Sequence, residues 1–378
     1  MENAKIKVLY IIPSLNLGGM ETFAVNLFKA IDKNRFEIHF LLNTYGSKDY
    51  YLDEVTKLGG IVHKTDKDMI SNKFRRINKF QKDIIKIIET EKIDVVHIHT
   101  CYSLLYIAAK AAKKAGCKTI IIHSHSTSAN QERFLAKVFR YRARKYATNY
   151  FACGLEAGNW LFGKKFLFYK QSKIIPNGFD VKSYKFSRDQ QVAQRAKYGI
   201  SESDFVIGMV SRLARVKNHI FMLNVFNAIK DRKHLKLVIV GDGPEKENIQ
   251  AFINEHNLVS QVKLLGLKSD VSSILNMFDL YVLPSLYEGI PTSALEAQAN
   301  GLPCIISDRV DAHSKLLDDA CFLPIDFGTD EWVKQIDIIR HSPKGINIRQ
   351  ENNQEIIDKG YDMVDVAKQI EEVYSINK

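Results

Sequence analysis

The chain has 378 residues, 46% of them hydrophobic and 26% charged, and a formal net charge of +11. That length outgrows one hydrophobic core and the composition is that of a folded globular protein, so two domains are expected and disorder is excluded. No apolar run approaches the roughly 20 residues that span a bilayer, and the run 8–12 is too short for a secretion signal, so neither a membrane span nor secretion is expected.

Short β-branched runs alternate with longer helical patterns, the signature of parallel sheets built from βαβ units. In the first half, strands are expected over Ile6–Ile12, Phe36–Leu42, Ile61–His63, Val95–Ile98, 119–123 and 150–152. The first is followed by a loop with Gly18 and Gly19 and a helix over 20–30. A short strand and a Pro-Asn-Gly turn within 173–180 close this half, and the polar stretch 182–194 reads as the linker. The pattern restarts at 206–211, Leu235–Val240, Val262–Leu264, Leu280–Leu283, 303–306 and 321–323. Over 354–374, Ile356, Ile357, Met363, Val366, Ile370 and Val373 recur at helical spacing, broken at Gly360. The expected architecture is two doubly wound, Rossmann-like α/β domains, 1–180 and 181–355, facing across a cleft. A terminal helix within 356–378 is expected to pack back on the first domain.

The positive charge is concentrated in two N-terminal stretches. One holds Lys73, Arg75, Arg76, Lys79, Lys82 and Lys86. The other holds Arg133, Lys137, Arg140, Arg142, Arg144 and Lys145, interleaved with Phe134, Leu135, Val138, Phe139 and Tyr141. Helices with basic and apolar faces can lie against anionic lipid headgroups, so a peripheral membrane contact is expected; solvated basic faces are the plain alternative. No zinc finger, basic zipper or RNA-recognition signature is present, so no nucleic-acid partner is expected. The cysteines, Cys101, Cys117, Cys153, Cys304 and Cys321, form no C-x-x-C pair and read as core thiols of a reducing, cytoplasmic compartment.

Ligands of open α/β sheets bind outside the carboxyl ends of the strands, so the chemistry is sought in strand-to-helix loops. Gly18 and Gly19 let backbone approach a ligand, and the helix they open offers N–H groups to a diphosphate. His123 and His125, with His97 and His99 one strand earlier, end strands at the same edge. Two histidines two apart are read as pointing to opposite faces of their strand, against a shared metal. Arg212 and Lys217, after the first strand of the second half, could neutralise charge on a departing diphosphate. Glu288, in a loop shaped by Gly289 and Pro291, and Glu296, a turn inside the next helix, could accept hydrogen bonds from vicinal hydroxyls on either side of helix amides near Thr292.

Together these motifs resemble the retaining GT-B glycosyltransferases of family four, which include bacterial capsule and exopolysaccharide enzymes. The resemblance runs through G-G-M-E at 18–21, H-S-H at 123–125, I-P-N-G-F-D at 175–180, S-R-L with a following lysine at 211–217, G-D-G-P at 241–244 and E-G-I-P-T-S-A-L-E at 288–296. It implies that Gly18, Gly19 and Gly241 line the donor site and that Arg212 with Lys217 clamps the diphosphate. Glu288 then holds donor-sugar hydroxyls, Gly289, Ile290, Pro291 and Thr292 present the loop backbone, and Glu296 binds the ribose. His125 matches the family's active-site histidine by register, with His123 beside it. Pro291 departs from the usual pattern by removing one N–H. The resemblance further implies a nucleotide-sugar donor with UDP as the default, a glycan or polyprenyl-diphosphate-linked acceptor, retention of anomeric configuration, no metal and no cofactor. The string Asp66-Lys67-Asp68 reads as a solvated loop rather than a metal site. The alternatives are a nucleotide-sugar epimerase of the same architecture, a dinucleotide oxidoreductase, disfavoured by the missing G-x-G-x-x-G, and a noncatalytic carbohydrate-binding protein.

Overall fold

The computed structural model describes residues 4–16, 18–42, 49–65, 73–99, 102–125, 138, 141–342 and 346–376. Asp66 to Asp68 lie outside them, as do Arg133, Phe134, Leu135, Lys137, Phe139 and Arg140 of the second basic stretch. The chain divides into two compact units, Met1–Asp180 with Gly360–Lys378, and Val181–Lys359.

The first unit is built on strands β1 (Ile6–Ile12), β2 (Phe36–Leu42), β3 (Ile61–His63), β4 (Val95–Ile98), β5 (Thr119–Ser124), β6 (Asn149–Ala152) and β7 (Ser172–Ile174). They lie in the order β3-β2-β1-β4-β5-β6-β7, and every pairing is parallel. A parallel sheet is covered on both faces, which is why β1 and β2 read as near-continuous apolar runs rather than alternating ones. The order reverses between β1 and β4, which opens a crevice at their carboxyl ends.

The C-terminal helix Met363–Ser375 belongs to this unit. Asp362 caps it by accepting a hydrogen bond from the Val364 N–H. Its Val366, Ile370, Val373 and Tyr374 enter the same core as Val8, Tyr10, Phe36 and Ile38, each large side chain contributing about 1.5–3 kcal/mol by burial. Gly178 is required for this docking, since a Cβ there would lie 2.8 Å from Val366 Cγ2. The helical stretch expected over 354–374 is in fact two helices. Ile346–Asp358 belongs to the second unit, and Gly360, at φ +82°, breaks the chain before the last helix. The boundary therefore falls at 359/360 rather than 355/356.

The second unit carries β8 (Phe205–Val210), β9 (Leu235–Val240), β10 (Val262–Leu264), β11 (Leu280–Leu283), β12 (Cys304–Ser307) and β13 (Ala320–Leu323), in the parallel order β10-β9-β8-β11-β12-β13. Alternation along β8 sends Ile207 and Met209 into one core layer and Val206 into the other. Gly208 is squeezed against Phe278, where a Cβ would stand 2.0 Å from the ring. Buried Arg195 locks the entry to β11: it pairs with Asp279 Oδ2 at 2.7 Å and donates to the Met277 carbonyl at 3.1 Å. Cys117, Cys153 and Cys304 are buried free thiols, and Cys321 is a half-buried one. Among the described residues no helix is long and apolar enough to cross a membrane.

Candidate active site

In the first unit the sequence-predicted residues gather at the β1/β4 switch point and the neighbouring end of β5. Gly18 is the extended N-cap of the helix Gly19–Ala30, at φ −154° and ψ 153°, with no side chain to occupy the helix amides. A Cβ on Gly18 would meet Glu21 Oε2 at 2.3 Å, so the glycine also makes room for that carboxyl. Burial raises the Glu21 pKa, ahead of bonds from its own backbone and Ser14 that lower it.

The histidines form one cluster. His123 and His125 stack with ring centroids 4.1 Å apart, and His97 and His99 lie 4.0 Å apart. The expectation that residues two apart point to opposite faces is therefore corrected: side chains alternate along a strand, so i and i+2 share a face. His99 and His125 share a hydrogen bond between Nδ1 and Nε2 at 2.9 Å, and the other nitrogen of His125 donates to Asn177 Oδ1 at 3.1 Å. Phe23 covers His99, His123 and His125 at 5.9, 5.1 and 4.9 Å between centroids.

Access separates the four. His97, His99 and His123 are at most 1% exposed, whereas His125 is half-buried and meets solvent. Burial holds His97, His99 and His123 well below the ordinary imidazole range, and the neighbouring imidazoles add to the effect. His125 is lowered to about 4 by burial, against the opposing bond to Asn177. At neutral pH the whole cluster is uncharged, able to trade hydrogen bonds with hydroxyls but not to pair with an anion.

The second unit presents the opposite chemistry at its own β8/β11 switch point. The loop after β8 carries exposed Arg212, which has no ion-pair partner among the described residues, and then the 3₁₀ turn Arg215–Lys217. Asn218, in the left-handed conformation at φ 57°, turns the chain into the next helix. The loop after β11 brings Glu288 back onto this turn. Lys217 Nζ donates to Glu288 Oε1, and Ser285 Oγ donates to Glu288 Oε2 at 3.0 Å. A backbone bond from Leu286 N–H to the Val216 carbonyl, 2.8 Å, joins the two loops. Lys217 and Glu288 are separated by 71 residues, and the structure makes them a half-buried ion pair.

Gly241 supports this arrangement from β9. Its φ of +141° and a Cβ position 1.9 Å from the Ser211 carbonyl oxygen leave room for no other residue, and the Leu213 N–H donates to the Asp242 carbonyl at 3.0 Å. Pro291 is the N-cap of the helix Thr292–Ala299, so the N–H it lacks is outside the helix, and Thr292 is the first helical residue. Gly289 and Ile290, in the preceding turn, are half-buried, and a Cβ on Gly289 would meet nothing within 4 Å. Glu296 faces back from that helix to a hydrogen bond with Tyr184. Burial raises the Glu296 pKa to about 7, ahead of that bond, which lowers it. Tyr281, fully buried beneath, donates to Ser293 Oγ at 2.8 Å.

The family model described as Glycosyltransferase Family 4 matches residues 17–183, and that described as Glycosyl transferases group 1 matches 190–373. A glycosyltransferase of Bacillus subtilis strain 168, EpsF, is 34% identical over 317 residues, which cover 82% of this chain and 81% of EpsF. The chain belongs to the family-four GT-B glycosyltransferases. A second relative of this glycosyltransferase is the UDP-Gal:alpha-D-GlcNAc-diphosphoundecaprenol alpha-1,3-galactosyltransferase of Escherichia coli, 24% identical over 389 residues, 98% of this chain and 97% of the relative. Among solved structures, HepE of Anabaena in complex with UDP shares the fold with a TM-score of 0.79 at 20% identity, covering 98% of this chain and 100% of HepE. These matches leave the epimerase alternative unfavoured.

Sequence reasoning missed three supports of the glycosyltransferase site: Asn177 on His125, Tyr184 on Glu296, and Ser285 on Glu288. Asn177 sits inside the I-P-N-G-F-D motif, and Ser285 lies three residues before Glu288, just past the strand that leads to it. Nothing in the sequence around Tyr184 marks it.

Proposed function

We propose that this glycosyltransferase retains anomeric configuration, takes a hexose or N-acetylhexosamine from a UDP-sugar and transfers it to a lipid-linked glycan acceptor in bacterial exopolysaccharide or capsule assembly. The observation that carries the reading is the Lys217–Glu288 pair beside exposed Arg212, with Glu296 on the adjoining helix. Binding of a diphosphate draws Lys217 from Glu288 to phosphate, and the released carboxylate accepts donor-sugar hydroxyls. Arg212 and Lys217 then stabilise the charge of the leaving nucleoside diphosphate, the task a metal performs elsewhere. Glu296 accepts the ribose hydroxyls, Gly18, Gly19 and the turn 289–292 offer backbone to the donor, and His125 contacts the sugar. In a front-face displacement the bond from the anomeric carbon to phosphate breaks as the acceptor oxygen bonds on the same face, and the acceptor proton passes to a phosphate oxygen.

The names of relatives support the substrate classes: the Escherichia coli enzyme is named for UDP-Gal and a diphosphoundecaprenol acceptor, a Staphylococcus aureus relative for capsular polysaccharide biosynthesis, and HepE has been solved with UDP-glucose. Purified protein incubated with UDP-hexoses, UDP-N-acetylhexosamines and a polyprenyl-diphosphate sugar tests the reading. An α-linked product from an α-configured donor is expected. A β-linked product overturns retention, and an isomerised sugar without acceptor overturns transfer.

The reading includes contact with the cytoplasmic membrane face. Tyr141, Leu167 and Phe168 project from the first unit at 62, 52 and 86% exposure. Exposed Arg142, Lys145, Lys164, Lys165 and Lys170 accompany them in sequence, and Arg144 ties the two segments by donating to Tyr169 Oη at 3.1 Å. Co-sedimentation with vesicles should require anionic lipid and fall with salt. Equal binding to neutral vesicles, or none, overturns this part.

A further inference from the structure

Ring nitrogens of His97, His99 and His123 lie together on one face of the first sheet, and the transferase reading does not use them. His97 and His99 each have an acceptor on the outer side. His97 Nδ1 lies 2.6 Å from the Tyr374 hydroxyl, which itself donates to Tyr10 and so accepts from the ring. His125 donates from Nδ1 to Asn177, so its Nε2 accepts from His99 Nδ1. His123 Nε2 is buried with no hydrogen-bond partner among the described residues.

With the His97 and His99 protons placed outward, the lone pairs of His97 Nε2 and His99 Nε2 point inward. The first accepts a long hydrogen bond from His123 Nδ1 at 3.3 Å, and the second is buried with no partner among the described residues. Donor atoms of His97, His99 and His123 all lie within 4.8 Å of one another. Zinc–imidazole bonds of about 2.0–2.1 Å place two ligands of a tetrahedral ion about 3.3–3.4 Å apart, which matches the His97–His123 separation, and His99 closes in on them from within 4.8 Å. A buried ring nitrogen without a partner is unfavourable, and a cation held by His99 Nε2, His97 Nε2 and His123 Nδ1, with the His123 proton moved to Nε2, relieves it.

We propose that His97, His99 and His123 bind one late first-row divalent cation of the zinc class. The outer bonds from His97 to Tyr374 and from His99 to His125 orient those two rings as second partners of metal-ligating histidines do. An all-imidazole set selects zinc, nickel or copper over magnesium, manganese or calcium. The half-buried side of His125 is the route in and leaves a fourth position for water. The ion takes no part in stabilising the departing diphosphate; it holds His99, and through it the tautomer of His125. The inference does not depend on the choice of donor or acceptor.

The test uses full-length, untagged protein stripped with a chelator and titrated with zinc, and separately with cobalt as a spectroscopic stand-in. One equivalent is expected, with the intense visible bands of four-coordinate cobalt, a rise in the thermal midpoint and no response to magnesium. Single His97→Gln, His99→Gln and His123→Gln variants, checked for folding by circular dichroism, should each lose at least tenfold in zinc affinity. Should a variant not fold, ring-nitrogen NMR of the wild type decides, since three imidazoles should shift on zinc addition. Unshifted rings, weak six-coordinate cobalt bands, or undiminished stoichiometry in folded variants overturns the proposal, as does an ordered water in place of the ion in a zinc-soaked crystal.

Discussion

At the carboxyl end of the first sheet four imidazoles sit side by side, uncharged and largely enclosed; at that of the second, Arg212, Lys217 and Glu288 bring charge to half-exposed loops. The difference follows from which groups each sheet can afford to bury. Neutral rings can stack under Phe23 and bond to one another, whereas charged groups must stay near solvent or find a partner, as Lys217 and Glu288 do. Under the proposed reading, a diphosphate gains its electrostatic stabilisation from the loops of the second unit.

The largest effect is expected at Lys217. Lys217→Met keeps the stem, removes the charge and strands Glu288, so transfer should fall about 100- to 1,000-fold, the range seen when one donor to developing negative charge is lost. Glu288→Gln should likewise reduce transfer steeply while leaving nucleoside diphosphate affinity nearly intact, because its proposed partners are on the sugar. Steady-state transfer rates set beside calorimetric titration with UDP separate the two. A Glu288→Gln enzyme that loses UDP affinity reverses the assignment of the two glutamates, and full transfer by both variants removes the site.

Next comes Glu296. Losing a hydrogen bond to a charged group weakens binding by about 1.5–3 kcal/mol, so Glu296→Gln should bind UDP about ten- to a hundredfold less well. The pH dependence has a definite sign. Because burial raises the Glu296 pKa to about 7, the ligand-free protein holds a proton that ribose hydroxyls must displace, and UDP affinity should rise with pH through about 7. The phosphate of UDP titrates in the same region, but equally for Glu296→Gln, so the difference between the two profiles isolates the carboxyl. For folding the sign is opposite: a raised pKa gives stability that is present below the ordinary carboxylate range and lost as pH rises through about 7. At pH 8 ligand-free Glu296→Gln should therefore melt higher than the wild type, although it binds UDP more weakly.

These contrasts show what the sequence could disclose. The strands were legible because both faces of a parallel sheet are covered, so β1, β2, β9 and β11 appear as apolar runs bounded by turns, and the strand-end rule then located every candidate loop. The Lys217–Glu288 pair was not legible, because it depends on β8 and β11 being neighbours, a fact of sheet order with no local signal. The histidines were found, but their face was misread despite a period of two that settles it. Tyr184 was invisible for another reason: it sits in the short turn Val181–Tyr184 just after the unit boundary, where composition marks only a linker.

A smaller effect is expected from the neutral half. His125→Ala removes a contact worth about 0.5–1.5 kcal/mol as a neutral hydrogen bond, so transfer should fall about tenfold at most while UDP affinity is unchanged. A loss equal to that of Lys217→Met would break the comparison, since it would mean that His125 meets charge in the transition state.

The smallest expected effect is at Asn177, and it distinguishes holding a ring from touching a substrate. The turn that carries Asn177 is fixed independently of its side chain: the Gly178 N–H donates to the Pro176 carbonyl at 2.7 Å, and Gly178 packs against Val366 of the C-terminal helix. Asn177→Ala therefore leaves the backbone in place and, among the described residues, deletes the bond from His125 Nδ1. A neutral bond of about 1 kcal/mol corresponds to roughly a fivefold change, expected in the transfer rate and not in UDP affinity or the melting temperature of the second unit. Gly178→Ala is the contrasting variant, because its new methyl group displaces Val366 and should loosen the C-terminal helix as well. If Asn177→Ala matches His125→Ala in full, Asn177 does more than orient the ring and itself reaches the substrate; if it changes nothing, the His99 bond alone holds His125.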